Sequence, residues 1–107
     1  MSAERGDLVW INFNPQTGHE QAGRRPAIVL SPAAFNEATG FVSVCPITHT
    51  VRGWGFEVLL PEGSYFDGVI LTDQIKNLDL KARQIDIVGK ASDEVVRECL
   101  NKIRTFL

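Results

Sequence analysis

Long hydrophobic runs are missing from this chain, and no segment approaches the ~18 apolar residues of a membrane-spanning helix. The amino end, Met1-Ser2-Ala3-Glu4-Arg5, also lacks the apolar core of a signal peptide. No membrane association is therefore expected, and the expected compartment is the cytoplasm. Cysteine is scarce. Cys45 and Cys99 stand far apart among apolar neighbours, with no Cys-x-x-Cys or Cys/His spacing to suggest a zinc site or a redox pair. Two buried, reduced thiols are expected, with no metal and no other cofactor. An excess of one charge is missing too. Eleven Lys and Arg against thirteen Asp and Glu leave a formal charge of -2, so the field of the whole molecule will not attract nucleic acid. A polyanionic partner must be read by a local cluster. Internal repeats and low-complexity segments are absent as well.

What is present suits one domain spanning residues 1–107, large enough to hold a core without disulfides or a structural metal. The balance of 44% hydrophobic to 22% charged residues is that of an ordinary soluble globular protein. Asp7 to Phe13 is apolar and β-prone on both faces apart from Asn12, which predicts a strand buried on two sides. Its second apolar face also hints at a dimer surface. Arg25 to Leu30 gives a second strand. Ser31-Pro32 reads as an N-cap followed by proline at the first helical position, opening a two-turn helix over Ala33–Ala38 that Thr39-Gly40 stops. Phe41 to Ile47 is a third strand, and Pro46 predicts that it lies at an edge or ends there. A polar loop follows over 48–55.

Phe56, Val58 and Leu60 then alternate along a half-buried strand, and another strand starts at Gly68 and continues extended from Asp73 to Leu78. Ile85 to Gly89 is the last strand. The carboxyl end reads as a helix capped by Ser92, with Asp93 and Glu94 complementing its amino-terminal dipole. At ~100° per residue, Val95, Val96, Cys99, Leu100, Ile103, Phe106 and Leu107 share an arc of about 140° that excludes every charged residue. Such a stripe can cover the open end of a barrel. Five or more short strands with few helices predict a mostly β fold, a small closed or partly open barrel.

The densest chemistry lies in His19-Glu20-Gln21-Ala22-Gly23-Arg24-Arg25-Pro26, between two strands. Gly18 and Gly23 permit sharp turns around it, and Pro26 pushes Arg25 towards extended geometry. A planar guanidinium suits a phosphate, and a nearby carboxylate can take a proton from an attacking hydroxyl. Taken alone, the same residues also describe a salt-bridged turn.

A wider pattern decides between these. The run Gly6 to Pro15, the Gly18–Pro26 segment, Ser31-Pro32 with Asn36 and Thr39-Gly40, Pro46-Ile47-Thr48, Asp67-Gly68-Val69, Asp73-Gln74 with Lys76, and Ala82-Arg83 resemble the MazF/PemK-type toxins over nearly the whole chain. The resemblance implies an SH3-like barrel (the CcdB/Kid/MazF fold) with a short helix after strand two, a carboxyl-terminal helix and a homodimeric assembly. It implies sequence-selective cleavage of single-stranded RNA, chiefly mRNA, by the toxin half of a type II toxin–antitoxin pair, with a MazE-like antitoxin as partner. Arg25 matches the family's catalytic arginine, Thr48 its partner threonine and Glu20 the carboxylate of the signature. Asp73, Gln74 and Lys76 match a segment lining the RNA groove. One departure stands out: Leu71 occupies a position where some members carry an arginine, so a catalytic pair of that arginine with Asp73 does not carry over.

Without a metal, ribonuclease chemistry uses the substrate's 2′-hydroxyl as nucleophile. The protein then supplies a proton acceptor, positive donors for the developing charge and a proton for the leaving group. Arg25 is assigned to charge stabilisation, since a guanidinium stays protonated and is a poor base. Glu20 is the candidate base and Thr48 a hydroxyl donor to a phosphate oxygen. His19 and His49 either titrate in the reaction or stand as exposed loop side chains. Trp54 either stacks a base or serves the fold, while Phe56 reads as core. Arg24, Arg52 and Arg83 either meet phosphates or are solvated surface charges; His19 and Gln21 flank the same loop. The rival reading from another class is a CcdB-like toxin of the same fold that poisons DNA gyrase and cleaves nothing. The Arg104-Thr105-Phe106-Leu107 end lacks the tryptophan-containing tail of such toxins, and Glu20 and Arg25 are retained.

Overall fold

The computed structural model describes residues 3–13 and 23–107. Seven strands and two helices follow one another as β1 (Asp7–Asn12), β2 (Arg24–Val29), α1 (Ala33–Thr39), β3 (Phe41–Thr48), β4 (Glu57–Leu59), β5 (Val69–Leu71), β6 (Lys76–Asp79), β7 (Ile85–Lys90) and α2 (Asp93–Ile103). All the strand pairings are antiparallel, in the order β4-β5-β3-β2-β1-β7, with β6 added to β3. Among the described residues the ladder does not return on itself, so the sheet is open rather than closed.

Alternation along β1 explains its two apolar faces. Leu8 joins one core cluster with Ile28, Cys45, Ile47, Val58 and Ile70, and Trp10 packs against it. Val9 and Ile11 join a second with Ala27, Val29, Val42, Val44 and Leu78. Both faces are thus used within one chain, and the hint of a dimer surface drawn from this strand falls away. The first cluster is completed by Val95, Val96, Cys99 and Ile103 of α2. The helix therefore lies over a sheet face rather than over the end of a barrel. Ser92 caps it as expected, its hydroxyl accepting from the Val95 N–H at 3.2 Å. The stripe is shorter than the predicted arc, because the helix ends at Ile103. Phe106 and Leu107 lie beyond it and are exposed.

Burial pushes both thiols up. Cys99 rises to about 12, with the Glu98 charge adding to the desolvation and Lys102 opposing it. Cys45 rises beyond the ordinary thiol range, mainly through burial and then through the Cys99 and Asp73 charges. Both are free thiols, as expected.

Three local expectations are corrected. Ser31 does not cap α1; Pro32 holds that position without a side-chain bond. The Ser31 hydroxyl instead donates to Asn36 Oδ1 at 2.5 Å and accepts from the Ser43 N–H at 2.9 Å, tying α1 to β3. Asn36, buried, also donates to the carbonyls of Ala3 and Ser31, so α1 holds the start of the chain in place.

Pro46 is not at an edge. It is buried in β3 opposite Ala27 of β2, in a strand flanked on its other side by β6 and β5. Ser43 directs its N–H and C=O towards the β2 side, and alternation turns the missing N–H of Pro46 the other way. That side is the gap between the β6 ladder, which stops at Val44, and the β5 ladder, which starts at Ile47. The segment from Asp73 to Leu78 is not continuously extended either. Thr72–Gln74 forms a 3-10 turn, because the chain must leave β5 and rejoin the same edge of β3 as β6.

Gly68 is the position where backbone freedom is required. Its φ is +109°, and a Cβ built there would lie 2.0 Å from the Thr48 carbonyl oxygen. The strained φ alone costs ~1–3 kcal/mol for a residue with a side chain. Gly68→Ala is expected to lower stability by at least that amount, because the overlap with backbone must also be relieved. Urea unfolding checks this; a midpoint within error of the parent's would show that β3 and β5 can separate freely.

Candidate functional site

The end of β3 is where the functional side chains converge. Thr48 is the last residue of β3 and pairs with Val69 of β5, while Arg25 comes from β2, on the other side of β3. The two meet at a cavity of about 570 Å³ that is also lined by Thr50, Arg52, Gly53, Trp54, Glu57, Leu71, Asp73 and Gln74. Each lining segment is there for a local reason. Thr50 and Arg52 to Trp54 belong to the loop between β3 and β4. Leu71 is the last residue of β5, and Asp73 and Gln74 occupy the 3-10 turn that carries the chain on to β6.

The turn is anchored from beneath by Thr72, which is fully buried. Its N–H and its hydroxyl both donate to the Phe56 carbonyl, at 3.2 and 2.5 Å. The loop is held on its other side. Trp54 Nε1 donates to Asp73 Oδ2 at 3.3 Å, and the Trp54 ring lies 6.0 Å from that of Phe56. Phe56 in turn meets Phe106 edge-on at 5.7 Å, and Lys102 Nζ donates to the Gly55 carbonyl at 2.8 Å. Phe56 is only half-buried and so is not a core residue. The Thr48 hydroxyl accepts from the Thr50 N–H at 3.2 Å, which leaves its own proton available to a ligand oxygen.

Of the expected site residues, Arg25, Thr48, Arg52, Trp54, Asp73 and Gln74 come together here. Glu20, His19 and Gln21 lie outside the described residues. Arg24 follows strand alternation to the opposite face of β2 from Arg25. There it pairs with Asp86 of β7 and stacks over the Trp10 ring, 5.3 Å from its centre. Lys76 is exposed at the start of β6, outside the cavity lining, as is His49 beside Thr48. Arg83 Nη1 donates to the Asp79 carbonyl at 2.8 Å, so this arginine braces the turn after β6.

Thr50, Gly53, Glu57 and Leu71 line the cavity without having been expected there as site residues. Glu57 alternates with buried Val58, a pattern that turns it away from the core but does not show what it meets. Among the described residues no group of three or more His, Cys, Asp and Glu is arranged to hold a metal ion. Both cysteines are buried, protonated at neutral pH and absent from the lining, so the cavity offers no thiol nucleophile. The chemistry on offer is two guanidiniums, two hydroxyls, an indole, a carboxamide and two carboxylates around an open cleft. No described helix is long and apolar enough to cross a membrane.

The chain is similar to known proteins over nearly its whole length. The chain is 45% identical over 109 residues to the endoribonuclease toxin ChpB of Escherichia coli K12, covering 97% of this chain and 93% of that protein. Among solved structures, MazF of Deinococcus radiodurans (Form-I) superposes with a TM-score of 0.87 at 44% identity, covering 98% of this chain and 96% of that one. A MazE–MazF complex from the same organism (Form-II) gives a TM-score of 0.85 at 38% identity, over 98% and 94% of the two chains. The mostly β, open-sheeted architecture with two helices is therefore a MazF-like fold. Residues 4–107 match the family described as PemK-like, MazF-like toxin of type II toxin-antitoxin system, and the chain belongs to that family.

Proposed function

We propose that this chain is an endoribonuclease toxin that cleaves single-stranded RNA, chiefly mRNA, at selected sequences without a metal, and that an antitoxin neutralises it. The observation that carries the reading is the meeting of Arg25 and Thr48, from two different strands, at one cleft with Arg52, Trp54 and Gln74. Family membership adds to it: the relative ChpB is named an endoribonuclease toxin, and a relative has been crystallised as a MazE–MazF complex.

In this mechanism the 2′-hydroxyl of the substrate attacks the adjacent phosphorus, the bond from phosphorus to the 5′-oxygen breaks, and that oxygen leaves as a hydroxyl with a proton from Arg25 or from solvent water. Arg25 faces the phosphate and stabilises the charge that develops on its oxygens. Thr48 donates its hydroxyl to one of those oxygens. Glu20, from the segment preceding Gly23, takes the proton of the 2′-hydroxyl. Arg52 meets a neighbouring phosphate, Trp54 stacks a base, and Asp73 and Gln74 read base edges along the cleft. Lys76 and Arg24 extend the surface beyond the cleft, and His19 and Gln21 add contacts to the RNA. The protein acts as a homodimer in the cytoplasm. Its antitoxin is a MazE-like protein whose acidic segment lies across the cleft at Arg25 and competes with RNA; Arg24, on the other face of β2, is left out of that contact.

Three experiments test these statements. Arg25→Ala should lower kcat roughly 10²–10³-fold, by analogy with removal of one preorganised donor to a developing charge. The side chain is exposed on β2, so thermal unfolding should be unchanged; near-parental turnover would remove Arg25 from the mechanism.

A single 2′-deoxy substitution immediately 5′ of the scissile phosphate should stop cleavage at that bond, whereas products from the unmodified strand should carry a 2′,3′-cyclic phosphate and a free 5′-hydroxyl. EDTA should have no effect. Cleavage of the deoxy substrate, or full inhibition by the chelator, would point to a metal-activated water instead.

Light scattering at micromolar concentration should give the mass of a dimer, and the antitoxin's acidic segment should slow cleavage in proportion to its occupancy. A monomer mass, or bound antitoxin with undiminished cleavage, would contradict the respective statement.

A further inference from the structure

Glu57 sits at the cleft in a role that neither its strand nor its charge foretells. It opens β4, and its neighbour Val58 points into the core, so its own side chain turns to the cavity that Arg25 and Thr48 share. There both carboxylate oxygens are occupied by backbone. Oε1 accepts from the Gly53 N–H at 3.1 Å and from the Arg52 N–H at 3.3 Å, and Oε2 accepts from the Arg52 N–H at 3.2 Å. Two successive N–H groups with Gly53 at φ +74° form a small anion-binding concavity, and here the anion is the protein's own carboxylate. The Glu57 N–H closes the same turn by donating to the Trp54 carbonyl at 3.0 Å. The captured N–H groups belong to Arg52 and Gly53, so the bonds hold Arg52 itself and, one residue on, Trp54, both of which line the cleft.

We infer that Glu57 is a positioning residue for RNA binding. By holding the backbone at Arg52 and Gly53 it fixes where the Arg52 guanidinium and the Trp54 ring stand along the cleft. The inference rests on the proposed RNA cleavage and adds to it a residue that touches no substrate. It does not make Glu57 a base: both oxygens already take N–H donors, an arrangement that orients the carboxylate towards the loop. A charge-assisted bond to backbone is stronger than a neutral one, and three such contacts on one carboxylate favour one loop geometry over others.

The test is steady-state cleavage of a single-stranded RNA by the parent, Glu57→Ala, Glu57→Gln, Arg52→Ala and the Glu57→Ala/Arg52→Ala double variant, with thermal unfolding of each. Glu57→Ala should raise KM roughly ten- to a hundredfold with kcat within about threefold of the parent, the range expected from losing one such anchored contact set. Glu57→Gln keeps an oxygen within reach of both N–H groups and should recover most of the affinity. Adding Arg52→Ala to Glu57→Ala should cost little more, because the guanidinium is already misplaced; additive losses would mean the two residues act independently.

The inference is overturned by an unchanged KM in Glu57→Ala, by additive losses, or by a fall in kcat at constant KM, which would make Glu57 part of the chemistry. If Glu57→Ala does not fold, Glu57→Gln decides: it must stay close to the parent, and a loss of folding or affinity there sinks the proposal. A parent protein that cleaves no RNA contradicts the proposed function itself, and that result is distinguishable from any of these.

Discussion

β3 exchanges one partner for another along a single edge, and the site exists because of that exchange. Phe41 to Val44 pair with β6, Ile47 and Thr48 pair with β5, and between them the edge is left without a ladder. A continuous strand on that side would satisfy every backbone group and leave no cleft. Instead the chain turns through Thr72–Gln74 as it passes from one ladder to the other, and Asp73 and Gln74 are presented at the opening. Proline is tolerated in the centre of this sheet for the same reason: the donor it lacks faces the gap. Gly68 closes the β5 ladder against the Thr48 carbonyl so tightly that no side chain fits. The position of Thr48 is thus set by backbone packing on two strands rather than by its own side-chain bonds.

Much of this was legible in the chain, because burial leaves a periodic trace. The alternation in β1 and the 3.6-residue spacing in α2 each carry their own evidence, and Arg25, Thr48, Arg52, Trp54, Asp73 and Gln74 do meet. The separation of Arg24 from Arg25 was also readable, since adjacent residues on a strand point to opposite faces. Arg24 accordingly finds Asp86 and Trp10 instead of the cleft. What stayed hidden was what depends on a second segment. Pro46 looks like an edge residue until the change of partner is known. Ser31 looks like a cap until Asn36 and the Ser43 N–H compete for its hydroxyl, both of which belong to α1 and β3. Glu57 looks like the outward half of an alternating strand, because nothing local shows that a loop four and five residues earlier will bring it two N–H groups.

The charge pattern of the cleft follows from how its carboxylates are occupied. Arg25 and Arg52 are matched in number by Glu57 and Asp73, and the chain as a whole is slightly negative. Counted in this way, a phosphate has no reason to enter. The carboxylates, however, are turned to other donors: Glu57 to the backbone of Arg52 and Gly53, and Asp73 to the Trp54 indole. Among the described residues neither the Arg25 nor the Arg52 guanidinium has a hydrogen-bond or ion-pair partner. Arg24, by contrast, is paired. A carboxylate bound to N–H groups has part of its charge met by dipoles that need no cation. Among the described residues the two guanidiniums can then offer their paired donors to phosphate oxygens, and the cleft can attract a polyanion locally within a molecule whose net charge repels one. In this arrangement the loop does two things with one set of bonds: it fixes the aromatic and cationic side chains in place, and it keeps the cleft's own acids from quenching its arginines.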